Sequence, residues 1–151
     1  MTDEALLAVH EVSTERNEHG TAIELPVHMD PALEAIAQRM REVASLPDGT
    51  LTHLRIRSCR EGQGHPPHFD QYEIDGEQLV ATVLLTLVRP DEGGETRFER
   101  ARSGDKTAPI EVVPEVGDGL LWYNLADDSM LDLDAWHEGA AVKAGQKITL
   151  A

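Results

Sequence analysis

Residues 79–88 read Leu-Val-Ala-Thr-Val-Leu-Leu-Thr-Leu-Val, and this stretch decides the fold. A nearly continuous run of aliphatic and β-branched residues is typical of a central strand. Shorter strand candidates lie at residues 54–58, 96–98, 110–113, 120–123, 135–137 and 147–150, separated by glycine-containing turns. Many short strands at this spacing predict a sandwich or jelly roll.

The first 49 residues show a different pattern from the strand-rich remainder of the chain. Residues 21–27 are a strand candidate, and Pro26 predicts that this strand lies at a sheet edge. Asp30 and Pro31 form an N-cap signal before apolar residues at helical spacing, which predicts a helix over 31–45. We therefore expect one mainly β domain over 1–151, with an N-terminal strand and supporting helix at 1–49 and a β core at 50–151.

Composition restricts the class of protein. The formal net charge of −15 makes nucleic acid an improbable partner, because phosphates are repelled by an acidic surface. The single cysteine, Cys59, excludes an intramolecular disulfide and suits a reducing compartment. The acidic N-terminus does not resemble a signal peptide, and no apolar stretch reaches membrane-spanning length. These features predict a cytoplasmic protein with no membrane segment.

The aromatic residues are few and confined to one region. All six lie between positions 69 and 136. Because aromatic side chains supply much of the buried surface of a small domain, we expect the core and any pocket to lie in that stretch.

His68, Asp70 and His137 are candidate metal ligands. Residues 68 and 70 alternate on an extended backbone, so both would face one side of a strand while Phe69 faces the other. His137 would supply a third ligand from a different strand. Two imidazoles and a carboxylate suit iron(II), and the same set would hold zinc or manganese. A histidine and an aspartate at this spacing are, by themselves, a weak signal.

Lys147 is a candidate anion-binding residue. Residues 142–145 resemble a hairpin connection, which would place Lys147 on the strand beside the one that carries His137. An inward Lys147 needs a counter-charge, and a co-substrate carboxylate would provide it. The alternative is an outward lysine that protects an edge strand from aggregation.

Four segments of the chain carry a resemblance to a known family. They are residues 62–70 (GQGHPPHFD), 93–96 (GGET), 114–121 (PEVGDGLL) and 137–142 (HEGAAV) followed by Gly145 and Lys147. Together, in this order, they resemble the motifs of 2-oxoglutarate- and iron(II)-dependent oxygenases of the prolyl 4-hydroxylase-like group. The resemblance covers roughly residues 50–151.

The resemblance implies a double-stranded β-helix fold and a set of residue roles. His68, Asp70 and His137 would bind iron(II), and Lys147, aided by the Thr96 hydroxyl, would pair with the distal carboxylate of 2-oxoglutarate. Dioxygen would be the second co-substrate and ascorbate the reductant. The family usually has tyrosine at two positions that differ in this chain. One is the position of Cys59, which would contact 2-oxoglutarate, and the other is the position of His65.

The predicted activity is therefore hydroxylation of an unactivated C–H bond, most simply of a peptidyl proline, with release of succinate and CO2. Two alternatives remain at this point. One is a hydroxylase of a free amino acid or natural-product small molecule, and the other is a non-catalytic metal-binding β-sandwich or a zinc hydrolase. Specificity is expected to lie in the loops 71–78 and 99–109.

Overall fold

The computed structural model describes residues 12–47, 51–70, 73–74, 77–127 and 129–151. Within them lie one α-helix, two short 3-10 turns and sixteen strands. The helix is α1 (Pro31–Val43), and the 3-10 turns are Val27–Met29 and Leu133–Ala135. The strands are β1 (Ser13–Asn17), β2 (Gly20–Pro26), β3 (His53–Arg60), β4 (His65–His68), β5 (Glu73–Ile74), β6 (Glu77–Gln78), β7 (Ala81–Val88), β8 (Glu92–Gly93), β9 (Thr96–Phe98), β10 (Arg102–Ser103), β11 (Lys106–Thr107), β12 (Ile110–Val112), β13 (Gly119–Tyr123), β14 (His137–Gly139), β15 (Val142–Ala144) and β16 (Gln146–Leu150).

Two antiparallel sheets form the body of the molecule. The larger sheet has the order β1-β2-β3-β16-β7-β13, and the smaller has the order β12-β9-β14-β4. Strand β7 lies between β16 and β13, so the prediction of an interior strand over residues 79–88 is confirmed. Strands of both sheets line one cavity between them, which is the arrangement expected of a jelly roll.

The N-terminal helix packs on the large sheet as a support. The Asp30 side chain accepts a hydrogen bond from the backbone N–H of Ala32 at 2.7 Å, so the predicted N-cap is present. One buried apolar cluster joins the helix to the sheet; its members are Val27, Ala37, Met40, Leu54 and Leu150. The prediction that the core lies between residues 69 and 136 is therefore wrong, because the aliphatic outer face of the sheet pairs with the helix instead.

Two local predictions in the N-terminal and distal segments also need correction. Strand β2 has neighbours on both sides, so it is not an edge strand. Pro26 is tolerated because it is the last residue of β2, and β1 reaches only as far as Glu24. Residues 133–135 form a 3-10 turn, so the strand predicted at 135–137 begins only at His137.

The segment before Lys147 is a strand and not a hairpin loop. Residues Val142–Ala144 pair with β8, and the turn into β16 is made by Gly145 alone, whose φ is +83°. Strand β16 then joins the large sheet between β3 and β7, whereas β14 belongs to the small sheet. Lys147 therefore lies across the cavity from His137, and the prediction that their strands are neighbours is wrong.

Candidate active site

His68, Asp70 and His137 meet at one end of the cavity. His68 is the last residue of β4 and lies directly opposite His137 in the antiparallel register. Asp70 lies past the end of β4, so the expected strand alternation does not hold for it. Its carboxylate nevertheless lies 3.0 Å from His68 Nε2 and 3.6 Å from His137 Nε2. Ligand atoms of the three residues lie within 4.8 Å of one another.

Backbone carbonyls fix the orientation of both imidazoles. His68 Nδ1 donates to the Pro66 carbonyl at 2.7 Å, and His137 Nδ1 donates to the Ala135 carbonyl at 2.8 Å. Each imidazole therefore presents its Nε2 atom to Asp70. This is the usual outer-shell arrangement of metal-binding histidines, and two imidazoles with one carboxylate fit iron(II).

The protonation of the three residues follows from their contacts. Burial opposes the charged form of Asp70, but hydrogen bonds from His68 and Thr82 and the charge of His137 outweigh it and lower the pKa of the carboxyl group. Burial lowers the pKa of His137. The pKa of His68 is raised, because the hydrogen bonds to Asp70 and Pro66 outweigh the effect of burial. The carboxylate is thus anionic and ready to bind a cation.

A hydrogen-bond chain from the large sheet supports Asp70, and no motif in the sequence indicates it. Thr82 Oγ1 donates to Asp70 Oδ2 at 2.8 Å, and Asn124 Nδ2 donates to Thr82 Oγ1 at 3.1 Å. Asn124 is 1% exposed. Thr82 on β7 and Asn124 after β13 come together only through the pairing of those strands, which is why neither forms a motif.

Lys147 occupies the far end of the cavity. Its Nζ donates to the Gly94 carbonyl at 2.7 Å and lies 3.4 Å from Thr96 Oγ1, which is almost fully buried. Gly93 and Gly94 have φ of +75° and +70°, a turn that glycine adopts without strain. Burial lowers the pKa of the Lys147 ammonium, and no carboxylate among the described residues pairs with it. The ammonium therefore faces the cavity and not the solvent.

Cys59 lies beside Lys147 in the large sheet. The two residues are directly opposite each other in the β3–β16 register, and both line the cavity, whose volume is about 180 Å³. The buried Cys59 thiol donates to the His19 carbonyl at 3.3 Å. Burial raises its pKa, so the group is a neutral thiol.

Aromatic rings enclose the metal-binding end. The Trp122 and Phe98 ring centroids lie 4.8 Å and 5.4 Å from that of His137. The His65 ring lies 3.9 Å from His68, and burial, together with the charge of His68, lowers the pKa of His65 to about 4. His65 is thus a neutral group in the cavity wall at neutral pH.

The two loops expected to set specificity, residues 71–78 and 99–109, are described by the structure to different extents. Residues 71–72 and 75–76 lie outside the described part of the chain. Residues 99–109 form the small β10–β11 hairpin and, although all are described, none belongs to the cavity lining. In the described segments, no helix has the length and apolar character that a membrane span requires.

Two antiparallel sheets with two histidines and an aspartate at one end of the enclosed cavity define a jelly-roll metalloprotein with a non-haem iron type of site. The chain belongs to the 2OG-Fe(II) oxygenase superfamily, whose family model matches residues 54–151.

Curated relatives in plants have similar sequences. Prolyl 4-hydroxylase 5 of Arabidopsis thaliana is 32% identical over 136 residues, which cover 78% of this chain and 46% of that protein. Probable prolyl 4-hydroxylase 11 of the same plant is also 32% identical, with coverage of 88% and 46%. The chain thus spans about half the length of these relatives.

Solved structures share the fold. A viral collagen prolyl hydroxylase from Paramecium Bursaria Chlorella virus-1, in complex with 2OG, superposes with a TM-score of 0.71 at 19% identity and covers 98% of this chain and 84% of that one. A Pseudomonas putida prolyl-4-hydroxylase gives a TM-score of 0.63 at 15% identity, with coverage of 97% and 78%. These matches support the predicted double-stranded β-helix.

Proposed function

We propose that the protein is a 2-oxoglutarate- and iron(II)-dependent hydroxylase whose substrate is a prolyl group. The observation that carries the proposal is that one cavity has the His68, Asp70 and His137 triad at one end and Lys147 at the other. Lys147 is partly buried, and no carboxylate among the described residues forms an ion pair with it. A metal-binding sandwich without turnover, or a zinc hydrolase, needs the triad but does not need a partly buried lysine at the opposite end of the cavity.

Each residue has a role in this proposal. His68, Asp70 and His137 hold the metal, with Thr82 keeping the Asp70 carboxylate in position. Lys147 and Thr96 bind the distal carboxylate of 2-oxoglutarate. When bound, the metal and its co-substrates supply the oxidising power for C–H hydroxylation, while the protein positions the reactants and excludes water.

Cys59 stands at the co-substrate end of the cavity, where the family usually has the larger tyrosine side chain. Its thiol donates to His19 and not into the cavity, so we propose that it contacts 2-oxoglutarate only through van der Waals packing. Lys147 then carries most of the recognition of the distal carboxylate.

Three further parts of the proposal concern the substrate, the reductant and the compartment. The matched relatives are named as prolyl 4-hydroxylases, which favours a prolyl peptide as the partner. We propose ascorbate as the reductant that maintains iron(II). We also propose a cytoplasmic location, in keeping with one unpaired cysteine.

Succinate release tests the proposal. Purified protein with iron(II), ascorbate and 2-oxoglutarate is incubated with proline-containing peptides, free amino acids and a substrate-free control. We expect succinate above the metal-free background, together with a hydroxylated product detected as a mass increase of one oxygen. Asp70→Ala should abolish both signals while the far-UV spectrum stays unchanged. A wild-type protein that binds metal but never forms succinate would leave the non-catalytic metal-binding sandwich and the zinc hydrolase as the alternatives.

A further inference from the structure

Strand β3 presents two arginines to the cavity, and among the described residues only Arg55 has an ion-pair partner. Arg55, Arg57 and Cys59 alternate along the strand and all line the cavity wall. The Arg55 guanidinium forms ion pairs with Glu15 and Glu24. Arg57 forms no ion pair or side-chain hydrogen bond with any residue that the structure describes, although it is partly buried.

The carboxylates that attract Arg57 are each bound to another group. Glu15 attracts it, but the Glu15 carboxylate is bound to Arg55. Asp70 also attracts it, but that carboxylate is held by His68 and Thr82 and faces the metal position. Burial and the neighbouring Arg55 both lower the pKa of Arg57, yet a guanidinium stays protonated at neutral pH. With no ion pair or hydrogen bond to a described residue, the N–H groups of Arg57 remain available to a ligand in the cavity.

Charge counting separates this cation from the co-substrate site. One aspartate, one divalent metal ion, one ammonium and the dianion 2-oxoglutarate already sum to zero. Arg57 is not part of that sum; it belongs with Arg55, Glu15 and Glu24, whose two positive and two negative charges also sum to zero. Arg57 lines the same cavity as His68 and Asp70, so its guanidinium shares one space with the metal-binding residues.

We infer that Arg57 binds a carboxylate of the molecule that is hydroxylated. The substrate would then be a free amino acid, or a peptide whose C-terminal residue is modified, and not an interior residue of a long chain. A guanidinium suits this role because its planar fork donates two parallel hydrogen bonds to one carboxylate. This inference rests on the proposed function and narrows its substrate class.

Ligand-observed NMR with two matched pools tests the inference. The full chain is loaded with zinc(II), which prevents turnover, and with saturating 2-oxoglutarate. One pool contains the free amino acids and short peptides ending in each of them; the other contains the same compounds as C-terminal amides. We expect wild-type protein to bind members of the acid pool only, and the members that bind distinguish free amino acids from peptides.

Two variants make the test specific. Arg57→Gln should weaken binding of the selected acid about 10- to 100-fold while 2-oxoglutarate affinity stays within about threefold of wild type. Arg60→Gln, on the same strand but exposed and outside the cavity lining, is the matched control and should bind the acid as wild type does.

Several outcomes would overturn the inference. They are binding of the amides as strong as that of the acids, binding of neither pool, or full binding by Arg57→Gln. A tenfold loss of 2-oxoglutarate affinity in Arg57→Gln would instead assign the guanidinium to the co-substrate. If wild-type protein fails to bind 2-oxoglutarate at all, the proposed function fails, and repeating the two pools without it still decides the role of Arg57.

Discussion

Replacing Lys147 by methionine should separate co-substrate binding from folding. Methionine keeps the length and the apolar stem of lysine and removes the ammonium, which donates to Gly94 and lies near Thr96. In the proposed complex, that substitution leaves the distal carboxylate of 2-oxoglutarate in a partly buried cavity without its cation.

The expected magnitudes differ between binding and stability. Loss of one partner from a buried ion pair costs about 3 kcal/mol, which corresponds to a roughly 100-fold rise in the Kd for 2-oxoglutarate. The co-substrate-free protein behaves differently, because it loses one hydrogen bond to Gly94 but no longer buries an unpaired ammonium. Its free energy of unfolding should therefore change by no more than about 1–2 kcal/mol.

Calorimetric titration of 2-oxoglutarate into zinc-loaded protein measures the Kd, and urea unfolding measures the stability. The Kd for zinc, measured separately, should be unchanged because Lys147 is not a ligand of the triad. Lys147→Arg serves as a control that keeps the charge. A variant that binds 2-oxoglutarate normally, or one that loses metal and co-substrate affinity equally, would refute the assignment of Lys147.

Three further predictions concern other parts of the site and the core. Thr82→Val removes the hydrogen bond to Asp70 and should raise the Kd for the metal about 10-fold; an unchanged Kd would remove Thr82 from the site. Because burial raises the pKa of Cys59, its alkylation by iodoacetamide in the folded protein should begin only at a pH above the ordinary thiol pKa of about 8.5. The urea-unfolded chain should react at lower pH, and identical pH profiles for the two states would contradict the burial of the thiol. Leu54→Ala, at a fully buried position under the helix, should cost about 2–5 kcal/mol of unfolding free energy, and a cost below about 1 kcal/mol would argue against this core.

The sequence predicted the strands well where the pattern was local. The interior strand β7, the N-capped helix and the strands β2, β3, β9, β12, β13 and β16 follow from residue type and spacing within a few positions. Strands β1, β5, β6, β8, β10, β11 and β15 were not predicted. Contacts that depend on pairing between distant strands were not predictable in this way. The Asn124–Thr82–Asp70 chain forms only because β13 pairs with β7, and neither Asn124 nor Thr82 differs in type from many surface residues.

The aromatic residues misled the prediction of the core for a related reason. They were expected to fill the interior, but the main apolar cluster is aliphatic and lies between the helix and the outer face of the large sheet. Aromatic rings such as Trp122 and Phe98 instead pack around His137, inside the jelly roll. Of the phenylalanine, tyrosine and tryptophan residues that the structure describes, only Trp122 lines the cavity, and most of the lining lies before residue 69 or after residue 136. The aromatic segment therefore marked neither the core nor the whole pocket.

The position of Lys147 shows why the correction to the topology matters for function. Had Lys147 lain on a strand next to His137, both ends of the co-substrate would have been held by one sheet. Instead His68 and His137 belong to the small sheet and Lys147 to the large one, with Gly94 and Thr96 completing the far end. A molecule that contacts the triad and Lys147 therefore contacts both sheets. In the proposed complex, Lys147 is the strong donor at the far end, because the thiol of Cys59 directly beside it is committed to His19.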